Sequence, residues 1–198
     1  MEQKEVRALL EQVSSGELDI DEAMLKLKEA PFEDLGFAKP DYHRALRQGI
    51  GEVIYGAGKT PEQIHDIVAS MVQQGQKSIL ITRMSSEAAE AVEQDFLIKY
   101  DKYSRIGLVG EIPEPDGIGK VVVAAAGTSD LPVAEEAAQT AECFGNEVIR
   151  LYDVGVAGLH RLLAHREEIM TARVIVAVAG MEGALASVIG GLADCPVI

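Results

Sequence analysis

The chain has 198 residues, 47% apolar and 5% aromatic, enough to bury one large core or two small ones. Its formal charge of −14 repels nucleic-acid backbones, so no nucleic-acid partner is expected. The start, Met-Glu-Gln-Lys-Glu, carries acid where an export signal needs unopposed positive charge. The longest apolar stretches, Val121 to Ala126 and Val174 to Met181, fall far short of the roughly 20 residues of a membrane span. Cys143 and Cys195 lack the spacing of a zinc site or a disulfide framework, so a cytoplasmic protein without a membrane partner is expected.

In chain order, helices are expected over Glu2 to Val13 and Asp19 to Ala30, the second with Ile20, Ala23, Met24 and Leu27 on one face. Pro31 stops it. Periodicity is then lost to Gly49, while Lys39, His43, Arg44 and Arg47 form the densest basic cluster of the chain. Arg44 and Arg47 would share a helical face and clamp a pyrophosphate, or pair with surface acids.

Glu52 to Tyr55 reads as a strand. Thr60-Pro61-Glu62-Gln63 then supplies an N-cap, a proline at the first helical position and a capping-box glutamine for a helix to about Gln74. Gly58-Lys59-Thr60 resembles the end of a Walker A loop, but Val53 stands where the leading glycine belongs and Pro61 follows. Lys59 stays a candidate anion ligand only. Ser78 to Thr82 is a strand, Ser85 or Ser86 caps a helix, and Phe96 to Leu108 holds one or two short strands. Two prolines and a glycine between Glu111 and Gly117 mark a linker.

Beyond it, strands at Lys120 to Ala126, Glu147 to Tyr152 and Arg173 to Ala179 alternate with helices at Pro132 to Phe144, Ala157 to Met170 and Met181 to Leu192. Val133, Ala134, Ala137, Ala138 and Ala141 mark the buried side of the first of these helices, and Pro196-Val197-Ile198 begins a further strand. This alternation predicts a parallel sheet covered on both faces. The expected organisation is an N-terminal α+β domain over 1–114 and a doubly wound, flavodoxin-like α/β domain over 118–198.

Ligands of such sheets bind at the carboxyl ends of the strands. Three loops qualify. Gly127-Thr128-Ser129-Asp130 offers a glycine for a sharp turn, two hydroxyls and several amides, and reads either as a phosphate or ribose cradle or as a plain N-cap turn. Asp153-Val154-Gly155 follows the second strand. In the third, Ala179 to Gly183, Met181 falls on the apolar stripe of Ala184, Leu185, Val188, Ile189 and Leu192 and is expected in the core. Glu182 falls off that stripe, either complementing a helix dipole or facing the ligand. His65, His160 and His165 have no metal-ligand companions at usable spacing.

Gly-Thr-Ser-Asp after the first strand of this half, Ala-Gly-Met-Glu-Gly-Ala-Leu after the third and Cys-Pro-Val-Ile at the fourth resemble the PurE-type aminoimidazole ribonucleotide carboxylase fold. Leu35-Gly-Phe-Ala-Lys39, Asp41-Tyr-His-Arg-Ala-Leu-Arg47, Glu52 to Thr60 and Leu151 to Arg161 resemble pyridinium-3,5-biscarboxylic acid mononucleotide synthases, the LarB family. That resemblance implies carboxylation of the pyridinium ring of nicotinic acid adenine dinucleotide with CO2 or bicarbonate. Hydrolysis of its phosphoanhydride would then release AMP, on the way to the nickel-pincer cofactor of lactate racemase and related enzymes. It implies a cysteine thiolate that adds to the ring and makes it electron-rich enough to attack CO2.

Carried over, Thr128, Ser129 and Asp130 would hold ribose or phosphate, Asp153 and Gly155 would line the crevice, and Gly180, Met181 and Glu182 would flank the ring, with Glu182 the catalytic candidate. Arg44, Arg47 and Lys59 would reach the pyrophosphate. Mg2+ is expected for anhydride cleavage, and a homo-oligomer is expected. The family's cysteine lies on a segment after the fourth strand, so a chain ending at Ile198 is expected to bind the dinucleotide without carboxylating it; Ala186 stands where the family commonly has proline. Two rivals remain. A PurE-type carboxylase or mutase would show Ser-Ala-His-Arg where this chain has Tyr152-Asp-Val-Gly155, and a non-catalytic nucleotide-binding chain would only self-assemble.

Overall fold

The computed structural model describes residues 3–28, 34–42, 44 and 49–198. His43 and Arg47, two members of the expected basic cluster, lie outside these residues. Helices α1 (Gln3–Ser15) and α2 (Ile20–Lys28) pack as a hairpin. The expected apolar face of α2 is buried only at Ala23, while Ile20 and Met24 are exposed. The hairpin covers Ala23 and part of Leu27 only, and the pattern alone does not supply a core for Ile20 and Met24.

The first sheet has the order β1-β2-β4-β3, formed by β1 (Val53–Tyr55), β2 (Ser78–Thr82), β3 (Ile98–Asp101) and β4 (Ile106–Gly110). The β1–β2 pair is parallel, the others antiparallel. The parallel pair needs a crossover, and α3 (Pro61–Gln73) provides it. Its start is built as the sequence implies: Gln63 N–H donates to Thr60 Oγ1 at 3.2 Å, and Thr60 N–H to Gln63 Oε1 at 3.0 Å. Ile64, Val68 and Met71 of α3, with Ala88 and Val92 of α4 (Ser86–Glu93), pack on Ile79, Ile81 and Val109.

One exposed contact on α3 carries a pH dependence. His65 Nε2 lies 2.9 Å from Asp95 Oδ2, and its ring tilts against Phe96. The hydrogen bond to Asp95 is the largest cause holding the His65 pKa above its ordinary value, with Asp66 adding to it and burial working against it. A raised folded-state pKa means the pair stabilises fully below the unfolded value of about 6.5 and is lost as pH rises through the folded one. Asp95→Asn therefore lowers stability at pH 6 by up to about 1 kcal/mol, since solvent screens the pair, and changes little at pH 9. Urea unfolding at the two pH values checks this; an equal loss at both would refute it.

The second sheet is parallel, in the order β6-β5-β7, formed by β5 (Lys120–Ala125), β6 (Glu147–Leu151) and β7 (Val174–Val178). Alternate residues of β5 feed opposite faces. Val123 and Ala125 meet Ala134 and Ala138 of α5 (Leu131–Cys143), while Val122 and Ala124 share a cluster with Leu162, Ile169, Leu185 and Ile189. These last come from α6 (Leu159–Leu163), α7 (Arg166–Thr171) and α8 (Ala184–Gly190). Pro196 to Ile198 run parallel to β7, with Ile175 N–H donating to Pro196 O at 3.0 Å and Ala177 N–H to Ile198 O at 2.8 Å. The expected mixed α/β architecture, ending in a doubly wound flavodoxin-like sheet, is thus formed.

Three expectations are corrected. Val133 is half exposed rather than buried, because the buried line of α5 runs through Ala134 and Ala138. The helix expected over Ala157 to Met170 is a 3-10 turn, α6 and α7, and no glycine or proline marks the break at Ala164-His165. Met181 is 92% exposed, because α8 begins only at Ala184, after Gly183 adopts φ +71°. A left-handed residue there interrupts the helix that the apolar stripe suggests.

Helix α5 also joins the two sheets, since it packs on β2 as well as on β5. Arg83 Nε donates to Glu136 Oε1 at 2.8 Å, and Gln139 Nε2 to Asp101 Oδ2 at 2.8 Å.

Candidate functional site

The carboxyl ends of β5 and β7 are tied together by one side chain. Asp130, only 9% exposed, accepts the Gly127 N–H on Oδ2 at 3.0 Å and the Gly180 N–H on Oδ1 at 2.9 Å. The loop after β6 is stitched to the same edge by Val154 N–H to Ala125 O at 3.0 Å and Gly155 N–H to Ala126 O at 2.9 Å. Three loops from three strands therefore form one continuous floor. Asp130 is its anchor, although a carboxylate has about four lone-pair positions and retains capacity for a ligand hydroxyl.

Thr128 and Ser129 are exposed on this floor, in a 3-10 turn leading into α5. The sharp turn expected at Gly127 is formed, its carbonyl accepting the Asp130 N–H at 3.0 Å, although Gly127 itself is extended, at φ −148° and ψ 175°. The close approach occurs at Gly155 instead, where a Cβ would lie 2.7 Å from Ala126 O. Met181 and Glu182 stand exposed in the loop after β7. Among the described residues Glu182 has no hydrogen-bond or ion-pair partner, so its exposed carboxylate is accessible to a ligand. Asp153, at φ +57°, turns its carboxylate outward onto Arg161 while Val154 enters the core.

The basic residues are not gathered. Arg44 sits 3.5 Å from Glu52, which precedes β1, whereas Lys59 Nζ donates to Tyr55 O at 2.7 Å, past the other end of that strand. The structure thus sets Arg44 and Lys59 at opposite ends of β1 and brings a different group of residues to the floor. Tyr103 reaches over from the β3–β4 turn, its hydroxyl 3.5 Å from Thr128 O. The turn is held by Asp101, which accepts from Tyr103 N–H at 2.9 Å, Ser104 Oγ at 2.9 Å and Gln139. Burial works to raise the Asp101 carboxyl, but these hydrogen bonds outweigh it and leave it below its ordinary value. The Asp-x-x-Ser spacing is the local signal that could have marked this turn; the partner on α5 has none.

Both thiols are remote from the floor. Cys143 ends α5, at the edge where β6 begins, and its thiol is pushed up to about 11 by burial and by Glu142. Cys195 precedes the segment that starts beside Ile175, at the opening of β7, while Gly180 lies beyond its far end. Five strand residues at about 3.3 Å each separate the two edges. A cleft of about 920 Å3 lies at that opposite edge, against Glu52, Glu111, Glu114 and Asp116. Its acidic lining disfavours a phosphate-bearing ligand. Among the described residues no group of three or more His, Cys, Asp or Glu could hold a metal ion, and no helix is long and apolar enough to cross a membrane.

A parallel sheet with its loops drawn into one floor is the architecture of a PurE-like nucleotide enzyme, and residues 120–198 match the AIR carboxylase family model. Residues 32–111 match the model for the LarB/PurE-like N-terminal domain. The chain belongs to the LarB family, with both of its domains in order. It is also 37% identical over 204 residues to the uncharacterized protein MJ0165 of Methanocaldococcus jannaschii, a match covering 98% of this chain and 80% of that protein. Membership places it among carboxylase-type enzymes related to PurE.

Proposed function

We propose that the floor at the carboxyl ends of β5, β6 and β7 binds nicotinic acid adenine dinucleotide for carboxylation at its pyridinium ring and release of AMP. The observation that carries this reading is the Asp130 bridge, which ties the loop of Thr128 and Ser129 to the loop that carries Glu182. Backbone N–H groups at the start of α5 and the two hydroxyls suit a phosphate. Asp130 suits a ribose hydroxyl, and Asp153 and Gly155 line the crevice.

Carboxylation of the cationic ring needs a nucleophile, a thiolate that adds to it, makes a ring carbon electron-rich enough to bond to CO2, and is expelled once that carbon has lost its proton; that thiolate is not assigned to a described residue. Glu182, exposed in the loop after β7, is the carboxylate proposed to take that proton. Cys143 and Cys195 sit at the wrong edge to be the thiolate. No resident metal is assigned; Mg2+ enters with the substrate's pyrophosphate, which needs only one or two protein carboxylates. Self-association and a cytoplasmic setting remain part of the proposal.

The test is calorimetry with two ligands. Nicotinic acid adenine dinucleotide should bind at least about tenfold tighter than aminoimidazole ribonucleotide, and more weakly as salt is raised. Equal or reversed preference would point to PurE-type chemistry instead.

A further inference from the structure

Arg161 is the one guanidinium in the three loops of the floor and in α5, α6 and α8, the helices that follow them directly. The three loops otherwise carry acids, Asp130, Asp153 and Glu182, whereas the proposed substrate carries a carboxylate on the reacting ring and gains a second. A carboxylate held beside acidic side chains needs a cation as its partner.

We propose that Arg161 is the specificity residue of this site, receiving the ring carboxylate of the substrate after exchange from Asp153; this rests on the function proposed above. In the structure Arg161 Nη1 is paired with Asp153 Oδ2. The guanidinium lies against the backbone of Gly158, where a Cβ would come within 2.6 Å of Nε, so the absence of a side chain at 158 sets its position. The two side chains keep 39% and 57% of their surface exposed, so the pair is weakly held in water and its partner is exchangeable. A guanidinium presents a planar fork of donors that matches a carboxylate in two parallel hydrogen bonds, which a carboxamide cannot reciprocate. Asp153 thus stores the cation on an otherwise acidic floor, and a ligand carboxylate replaces it like for like.

The consequence is discrimination between two dinucleotides identical except at this group, nicotinic acid adenine dinucleotide and its amide counterpart, NAD+. Calorimetry on the full chain should show the acid bound at least tenfold tighter than the amide. Arg161→Gln should weaken the acid by about 10- to 100-fold while leaving the amide within about threefold, and Arg161→Lys should recover part of the preference. Asp153→Asn should tighten the acid, because the cation no longer has a competing partner. Equal weakening of both ligands by Arg161→Gln would show that Arg161 only supports the loop, and would overturn the inference while leaving the functional reading intact. Failure of the unmodified chain to bind either dinucleotide would overturn both.

Discussion

Replacing Asp130 by alanine lowers the unfolding free energy by about 3 kcal/mol and weakens dinucleotide binding beyond what that loss explains. The carboxylate accepts two backbone N–H bonds from loops 53 residues apart in sequence, Gly127 and Gly180. Hydrogen bonds to a charged group are each worth about 1.5–3 kcal/mol, and the deletion leaves two donors unpaired. Loss of the Gly180 bond unties the Glu182 loop from the loop of Thr128 and Ser129. Asp130→Asn offers a single acceptor oxygen, so it recovers at most one of the two bonds. Urea unfolding followed by calorimetry on the folded variants measures both effects. A loss of stability under about 1 kcal/mol would mean that the loops hold together without the bridge, and unchanged binding in a folded variant would remove Asp130 from the site.

This bridge also shows where sequence reasoning stops. The sequence marks Asp130 as a residue of the β5–α5 loop, and a capping role is legible because caps act within three or four positions. Thr60 and Gln63 are read correctly for that reason, as are strands β1, β2, β5, β6 and β7, whose β-branched runs and bounding turns are local, while β3 and β4 are legible only as one or two short strands within Phe96 to Leu108. The hydrogen bond to Gly180 is not legible, since nothing near Asp130 records what the loop after β7 will do. The same limit explains α5: its alanine line is a local pattern, but Glu136 and Gln139 meet Arg83 and Asp101 only after the two sheets dock. Met181 fails for the opposite reason. Its spacing fits the helical stripe, and one left-handed glycine at 183 overrides the pattern. Arg44 and Lys59 look like one cluster by composition, and a single three-residue strand keeps them apart.

Glycines in the same floor separate into required and replaceable ones, and the largest steric effect is expected at Gly155. Its backbone, at φ −59° and ψ 152°, is open to any residue, so conformational strain is not the issue. The obstacle is a carbonyl oxygen: a Cβ at 155 would lie 2.7 Å from Ala126 O, the same atom that accepts the Gly155 N–H at 2.9 Å. That oxygen belongs to the exit of β5, in the middle of the sheet, and cannot swing aside as a side chain would. Gly155→Val therefore pushes the loop off the sheet edge and breaks the bonds of Gly155 and Val154 to Ala126 and Ala125. The expected cost is about 3–5 kcal/mol, at the upper end of overpacking effects because backbone hydrogen bonds are lost as well. Asp153 and Arg161 move with the loop, so dinucleotide binding falls in parallel. Gly127→Ala is the matched control. Its φ of −148° suits alanine and the nearest neighbour of a new Cβ, Asp130 Oδ2, is 4.0 Å away, so stability should change by no more than about 1 kcal/mol. Urea unfolding of the two variants side by side decides the matter: a Gly155→Val protein as stable as Gly127→Ala would show that the loop after β6 does not depend on its contact with Ala126.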